Sequence, residues 1–572
     1  MTALTLWDKA QLLGMVARAG LAWLRRDTRF PSPVPDNPKF LTPRAAASLI
    51  DDGDVVAVSG LAGNQRASIL FHAIREDFET TGRPGNLTVI NVGGHGGRGL
   101  APGTLEELGR PGLCTRLITS HFDTFTAMLD LAAAGKCELQ CVPLGTLALA
   151  LEALGRGEES LRTTTGIGTF IDPRSGTGSP VCGTATEQLV TADGDYLRYR
   201  LPPVDVAIFN APAADRHGNI YVRGCSTIGE TREVARAARR NGGRVIANVG
   251  LLVDEGYAEV FLPADEVDAV VYYPDAEQAA LIPHRDPWRV FTPESDVPID
   301  HGLERVRFLS SLARITPRRC AADLAVARLA ATTLLAHVER GAHVNIGVGL
   351  GEEVCREVYE AGHLGDVTFL VESGPVGGLP APGIYFGAAL CPERIVPTAE
   401  MFRMTYERLD ATCLGALQVD SAGNVNVSRR GDGPRGYVGP GGFIDLTTAA
   451  KTIVFVSAWM DRGKVELRDG ALRIVEPGRP KFVEQVDEVT FNGARALAAG
   501  KQVFYATHVG LFRLTGKGME LVRVMPGIDI RRDILDRTPM RVVVPESGPL
   551  PVVERSIVTG VGFDPRLGGG RR

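Results

Sequence analysis

The sequence has no apolar run of the roughly 18 to 20 residues that a membrane-spanning helix needs, which excludes an integral helical membrane protein. Cysteine is scarce: nine in 572 residues, an odd number, widely scattered. The closest pair, Cys137 and Cys141, has no matching His/Cys cluster, so neither a disulfide framework nor a zinc site is expected. Reduced, mostly buried thiols in a cytoplasmic protein are the expectation. The ten histidines form no metal-ligand spacing, and His121, His217 and His508 read as structural. No excess of positive charge exists: the net charge is −5, which gives no electrostatic footprint for nucleic acid. No Gly-x-x-x-x-Gly-Lys-Ser/Thr pattern occurs, which excludes a P-loop nucleotidase. Gly347-Val348-Gly349-Leu350-Gly351 fails the glycine spacing of a dinucleotide fingerprint, which argues against a nicotinamide-linked oxidoreductase.

What is present begins with an N-terminal segment whose apolar residues Leu4, Leu12, Leu13, Val16, Leu21 and Leu24 recur at helical spacing, followed by Arg25 and Arg26. A secretory signal carries its basic residues before the apolar run. The segment therefore reads as an extra amphipathic helix packed on the core or on a partner, with peripheral membrane contact as the alternative. The proline-rich stretch 31–38 reads as a linker.

Strand–turn–helix units follow. Val55–Val58 leads through Gly60 and Gly63 to a helical stretch from Ala67, and Leu87–Val92 leads into the glycine-rich run 93–99. Apolar strands alternating with helices predict an α/β fold with a mainly parallel sheet. The pattern occurs twice. DVAIFNAPAADRHGNIYV (205–222) is echoed by DATCLGALQVDSAGNVNV (410–427), and Asp205, Asp215, Gly218 and Asn219 match Asp410, Asp420, Gly423 and Asn424 at a constant offset of 205 residues. DVVAVSG (54–60) is echoed by HVNIGVG (343–349). Two homologous open α/β domains in one chain are expected: an N-terminal extension over 1–39, a first domain over 40–300, a linker over 301–317, a second domain over 318–548 and a tail over 549–572. Two such domains enclose a cleft, a common place for a substrate site.

Thr368–Val371 reads as a buried strand running directly into Glu372 and a loop with five glycines by Gly387. Ligands of open α/β sheets bind at the carboxyl ends of strands, and glycines such as Gly377 and Gly378 allow close backbone approach. The residues alone leave open a solvated loop glutamate whose glycines only make turns.

This segment, ESGPVGGLPAPGIYFGA, resembles the catalytic signature of the family I CoA-transferases, in particular the single-chain propionate/acetate type, whose Glu-Ser-Gly-x-x-Gly-Gly-x-Pro loop supplies the catalytic glutamate. Further similar segments are GIGTFIDPR (166–174), NVNVS (424–428), GPGGFID (439–445) and PGIDIRRDIL (526–535), so that the resemblance spans residues 40 to 545. It implies two α/β domains, an acyl-CoA and a carboxylic acid as substrates, coenzyme A as substrate with no cofactor, and a homodimer or homotetramer. It casts Glu372 as covalent nucleophile and the backbone N–H groups of Gly441 or Gly442 as oxyanion donors, with Arg98 in the glycine-rich loop as a candidate phosphate contact.

Three departures accompany the resemblance. Where the family has Pro-Gln-Gly-x-Leu, with the glutamine helping to hold the oxyanion, the chain has Leu144, which donates no side-chain hydrogen bond. The family's Gly-Phe-x-Gly-x-Gly-His-Pro-Glu loop reads GLAGNQRAS here, so Gly60 and Gly63 persist while Asn64 or Gln65 offers a replacement amide near the cleft. The family's Gly-Gly-Gly-Leu-Asp reads Tyr406-Glu407-Arg408-Leu409-Asp410, which narrows the expected acyl pocket. Acyl-CoA:carboxylate CoA transfer by a ping-pong route is the expected function. The alternatives are an acyl-CoA or C–C bond hydrolase on the same fold, and an acyl-CoA-binding or regulatory protein that has lost catalysis.

Overall fold

The computed structural model describes residues 4–97, 101–181, 187–254, 256–312, 319–546 and 548–568. The parallel strands and covering helices expected from the alternating pattern are present, in two units. The first is built on β1 (Val55–Leu61), β2 (Leu87–Gly93), β3 (Cys114–Thr119), β4 (Glu138–Cys141), β5 (Val206–Asp215), β6 (Arg244–Val253) and β7 (Ala269–Tyr272). Their order across the sheet is β7-β6-β5-β1-β2-β3-β4, all parallel. The second unit contains β8 (Ala342–Ile346), β9 (Val367–Phe369), β10 (Ala411–Leu414), β11 (Thr452–Val456), β12 (Gln502–Ala506), β13 (Gly510–Thr515) and β14 (Gly518–Val524). Its order is β9-β8-β10-β11-β12-β13-β14, parallel as far as β12 and antiparallel beyond it.

The internal repeat is therefore a repeat of topology. The run β2-β1-β5-β6-β7 in one sheet corresponds to β9-β8-β10-β11-β12 in the other. Matched residues make matched bonds. Asp205 accepts the Val55 N–H at 2.9 Å, and Asp410 accepts the His343 N–H at 3.0 Å, so each fastens the start of the neighbouring strand. Asp215 accepts from the backbone N–H and side-chain amide of Asn219 (3.0 and 2.7 Å), and Asp420 does the same with Asn424 (2.9 and 3.0 Å). Gly218 and Gly423 hold φ of +94° and +74°, which an L side chain resists.

The helices used below are α1 (Leu6–Leu24), α2 (Ser68–Thr81), α3 (Leu144–Gly155), α4 (Thr231–Arg240), α5 (Ile299–Leu312), α6 (Ala321–Leu335), α7 (Leu350–Glu360), α8 (Thr398–Glu407) and α9 (Phe443–Ala449). Helix α1 is the expected extra helix. Thr5 and Asp8 form a reciprocal capping box at its start. Its Leu12 is buried in a cluster with Leu303 and Val306 of α5 and residues of α6. Farther along, the Arg66 guanidinium stands 6.0 Å from the Trp23 ring, and Arg26 pairs with Glu107 at 2.6 Å. The other large cluster draws on both units: Leu117 and Leu147 belong to it together with Val396, Phe402 and Phe443. The seam between the sheets is thus an apolar core, and the polar groups on it stand out. No described helix is long and apolar enough to cross a membrane. None of the eight described cysteines is in a disulfide, and Cys320 alone among them is exposed.

Candidate active site

Strand β9 ends at Phe369, two residues short of the expected Val371. Leu370 still donates to the Val344 carbonyl (2.9 Å), and its own carbonyl accepts from the Asn345 amide (2.8 Å). A tight loop then presents Glu372. Val371 donates to the Pro375 carbonyl and Gly374 to the Val371 carbonyl, both at 2.9 Å. Gly374 has φ of +122°, and a Cβ there would lie 2.0 Å from the Val396 carbonyl oxygen, so glycine is required. The Ser373 hydroxyl bonds the Gly387 carbonyl. The loop is held on both sides of the carboxylate, as a group that must be aimed would need.

The Glu372 carboxylate lies against Gly442, at the start of α9. The Gly442 N–H stands close enough to favour the charged form of the carboxylate, and a Cβ on Gly442 would stand 2.5 Å from Oε2. Asp445, one turn into α9, is fully buried and lies at the seam. Four donors converge on it: the backbone N–H of Gly145 (3.0 Å) and Thr146 (2.9 Å), the Thr146 hydroxyl (2.7 Å) and the Tyr406 hydroxyl (2.8 Å). Helix α3 begins at Pro143 without a side-chain cap of its own. Asp445 of the second unit supplies that cap to the first, satisfying two of the free N–H groups at the helix start. Leu144 completes the junction by donating its N–H to the Gly441 carbonyl at 3.0 Å.

These contacts set the proton affinity of the site. Burial first and the Asp445 charge second raise Glu372, the Gly442 N–H pulls it back, and the balance stands at about 7. Burial raises Asp445 to about 6 against its hydrogen bonds. A carboxylate poorly solvated and beside a like charge is a stronger base and nucleophile than one in water. The pH dependence follows with a definite sign. Protonated Glu372 cannot attack, so kcat/KM is expected to fall about tenfold per unit below roughly pH 7. Removing the neighbouring charge by Asp445→Asn should move that acid limb to lower pH, at a stability cost of about 1–3 kcal/mol for the disturbed buried bonds. A pH–rate profile of the two proteins checks this.

A small cavity of about 20 Å³, the room of one water, opens beside Glu372. Its walls include Asn345, Gly347, Glu352, Cys355, Phe386 and Gly387. A larger cavity of about 360 Å³ between α5 and α7 adjoins it and shares Glu352, Cys355 and Pro380. Glu352 accepts the Gly383 N–H at 3.3 Å.

The residues expected in the site separate into groups. Glu372, Gly442, Gly441, Leu144 and Tyr406 meet at the seam. Gly441 requires a correction: its N–H donates to the Ser120 carbonyl at 2.9 Å, so of the two glycines only Gly442 directs a donor at Glu372. Tyr406 is a hydrogen-bonding member of the seam, bonded to Asp445 and to Thr165 (2.8 Å), and is absent from the cavity lining. Asn64 braces the cavity wall by donating to the Phe386 carbonyl (2.8 Å) and to the Leu61 carbonyl (3.3 Å). Gly63 fits closely under Ile384, whose carbonyl a Cβ would approach to 3.1 Å, and the place of a Cβ on Gly60 is filled by the His95 ring. Gln65 corrects a second expectation. Its carbonyl oxygen is engaged by Asn210 and His284, both at 3.1 Å, and its amide nitrogen donates to the Thr227 carbonyl, so the buried side chain is held by the first unit and is absent from the cavity lining. Gly377 and Gly378 form a positive-φ turn packed on Glu393 and Leu390 behind the cavity. Arg98 lies outside the described residues. Asp445 was missed among the candidates although GPGGFID contains it; its signal was a carboxylate three residues after the glycine pair. No group of three or more His, Cys, Asp or Glu able to hold a metal ion occurs among the described residues.

Comparison with known proteins bears on this geometry. A coenzyme A transferase family profile matches residues 41–271. The chain is 32% identical over 516 residues to caffeate CoA-transferase of Acetobacterium woodii, covering 87% of this chain and 94% of that one. It is 30% identical to acetate CoA-transferase YdiF of Escherichia coli O157:H7, covering 87% and 91%. The apoenzyme structure of that acyl-CoA transferase superposes with a TM-score of 0.80 at 27% identity, over 92% of this chain and 98% of the other. The same enzyme has been solved as a thioester complex with CoA.

Proposed function

The chain belongs to the family I coenzyme A transferases, in single-chain form, and from that premise we propose that it moves CoA from an acyl-CoA to a free carboxylic acid through covalent intermediates on Glu372. The observation that carries the reading is the Glu372 carboxylate, aimed by its loop at a small cavity, touched by the Gly442 N–H and raised in basicity by burial and by Asp445.

One carboxylate oxygen of Glu372 attacks the thioester carbonyl. The C–S bond breaks, and CoA leaves as thiolate from an acyl-glutamyl anhydride. The thiolate then attacks the glutamyl carbonyl, releases the first carboxylate and leaves a glutamyl-CoA thioester. A second carboxylate runs the two steps in reverse and departs as its CoA ester. Each step passes through an oxyanion, and the Gly442 N–H is the donor already next to the reacting carboxylate. Coenzyme A is a substrate in this route, which calls on no cofactor. Caffeate and acetate, named for the relatives, define a first panel of acids, since both are simple monocarboxylates.

Acceptor dependence tests the reading. Acyl-CoA consumption should require a second carboxylic acid and give parallel double-reciprocal lines as its concentration varies. Steady release of free acid without an acceptor would instead make the protein a hydrolase.

Leu144 provides a second test. It is buried at the start of α3, with its N–H on the loop that precedes Gly442. Leu144→Gln restores the amide that the family carries at this position. A single well-placed donor is worth about 3–4 kcal/mol, and for a side chain added to an unadapted site we expect kcat to rise about tenfold with the KM for acyl-CoA little changed. A fall in kcat would assign the leucine to acyl packing.

A further inference from the structure

Helix α1 carries two apolar stripes, and the fold covers only one. The inner face carries Leu12, Val16 and Trp23 onto the body of the protein. The outer face carries Leu6, Ala10, Leu13, Ala17, Gly20 and Leu24, at spacings that alternate four and three residues along the whole helix. That alternation places all six on one stripe, as in a coiled-coil seam. The stripe is open: Leu6 and Leu24 are 87% and 85% exposed, Leu13 is 47% exposed, and Trp7 and Leu21 on its flanks are 71% and 45% exposed.

The order of residues on the stripe says what covers it. Laid against an antiparallel copy of itself, Leu6 meets Leu24 of the second copy, Ala10 meets Gly20, and Leu13 meets Ala17. Small residues face small or large ones at the centre, where two helices approach most closely, and leucines close both ends. On the flank, Arg25 falls opposite Trp7 of the second copy, in place for a cation–π contact. Lys9, Arg18 and Arg25 are exposed, while the one acidic residue of the helix, Asp8, is held in the capping box. A two-fold contact needs a patch complementary to itself, and this stripe is. Burying the exposed side chains of both copies removes on the order of 1,000 Å², the lower bound for a specific interface.

We propose that α1 is a self-association element, pairing antiparallel with α1 of a second copy of this chain about a two-fold axis near the middle of the helix. The pairing does not depend on the catalytic reading, because none of its residues belongs to the site around Glu372.

Sedimentation of the full chain tests it. Leu13→Glu and Ala17→Lys are each expected to halve the particle mass, with CoA transfer unchanged as evidence of an intact fold. An equimolar mixture of the two variants should recover the original mass, because residue 13 opposes residue 17 of the second copy. An unchanged mass for Leu13→Glu would overturn the proposal. If the intact chain then also bound phosphatidylglycerol vesicles and Leu13→Glu did not, the face would belong to an anionic lipid surface instead. Loss of mass in both variants without recovery on mixing would overturn the antiparallel register.

Discussion

Glu372→Gln is expected to lower CoA transfer by roughly 10³-fold or more, because the amide cannot form the anhydride or the thioester. Among the described residues Asp445 is the one other carboxylate whose charge acts on Glu372, and its oxygens are occupied by four donors. The same substitution should stabilise the protein. Glu372 is raised to about 7, above its ordinary value of 4.5. The native state therefore binds its proton more tightly than the unfolded chain does. That advantage is complete below about pH 4.5 and is lost as pH rises through 7. Above pH 7 the folded protein carries a poorly solvated anion at a cost on the order of 2–3 kcal/mol, lessened because the carboxylate faces a cavity with room for water. Glutamine carries no such charge. Thermal unfolding at pH 8 and pH 5 should show the variant more stable than the parent at pH 8, with the gap closing at pH 5. A variant that lost activity and was destabilised equally at both pH values would instead mark Glu372 as a structural residue.

The second large effect is expected at Gly442. Its φ of −85° and ψ of 3° are open to any residue, so Gly442→Ala places no strain on the backbone. The added Cβ, however, would stand 2.5 Å from Glu372 Oε2, inside van der Waals contact. The carboxylate must swing away and lose its N–H donor. Loss of one such donor, together with misplacement of the nucleophile, is expected to cost about 10²- to 10³-fold in kcat. Stability should change by less than about 1 kcal/mol. Gly441→Ala is the contrasting control. Gly441 sits at φ of +54° with open space around a Cβ, and its N–H belongs to Ser120. It should cost about 1 kcal/mol or more of stability through backbone strain and much less in kcat. Steady-state kinetics and thermal melts of the two variants separate an oxyanion role from a turn.

These two glycines also mark where sequence reasoning stopped. The glycine pair was legible as a motif, but which N–H remains free depends on the Ser120 carbonyl, more than 300 residues away in the chain. Asp445 escaped notice for the same reason. Its function as the cap of α3 exists only because the two units pack together, and no local periodicity encodes such a contact. Gln65 carries an amide in a plausible place, yet Asn210, Thr227 and His284 from other segments hold it away from the cavity lining. Features governed by short-range chemistry were readable. The Asp-x-x-Gly-Asn turns follow from side chains bonding their own backbone, and the constant offset between them announced the repeated topology. Glu372 was marked by the family signature around it, since the strand end and its glycines alone left a solvated loop residue open.

The covalent state of Glu372 is the most direct test. The intact protein, incubated with an acyl-CoA and no acceptor, should gain the mass of one CoA less water, mapped by peptide analysis to Glu372. The adduct should discharge when a carboxylic acid is added. Steady transfer without an adduct, or an adduct mapped to another residue, would contradict the account.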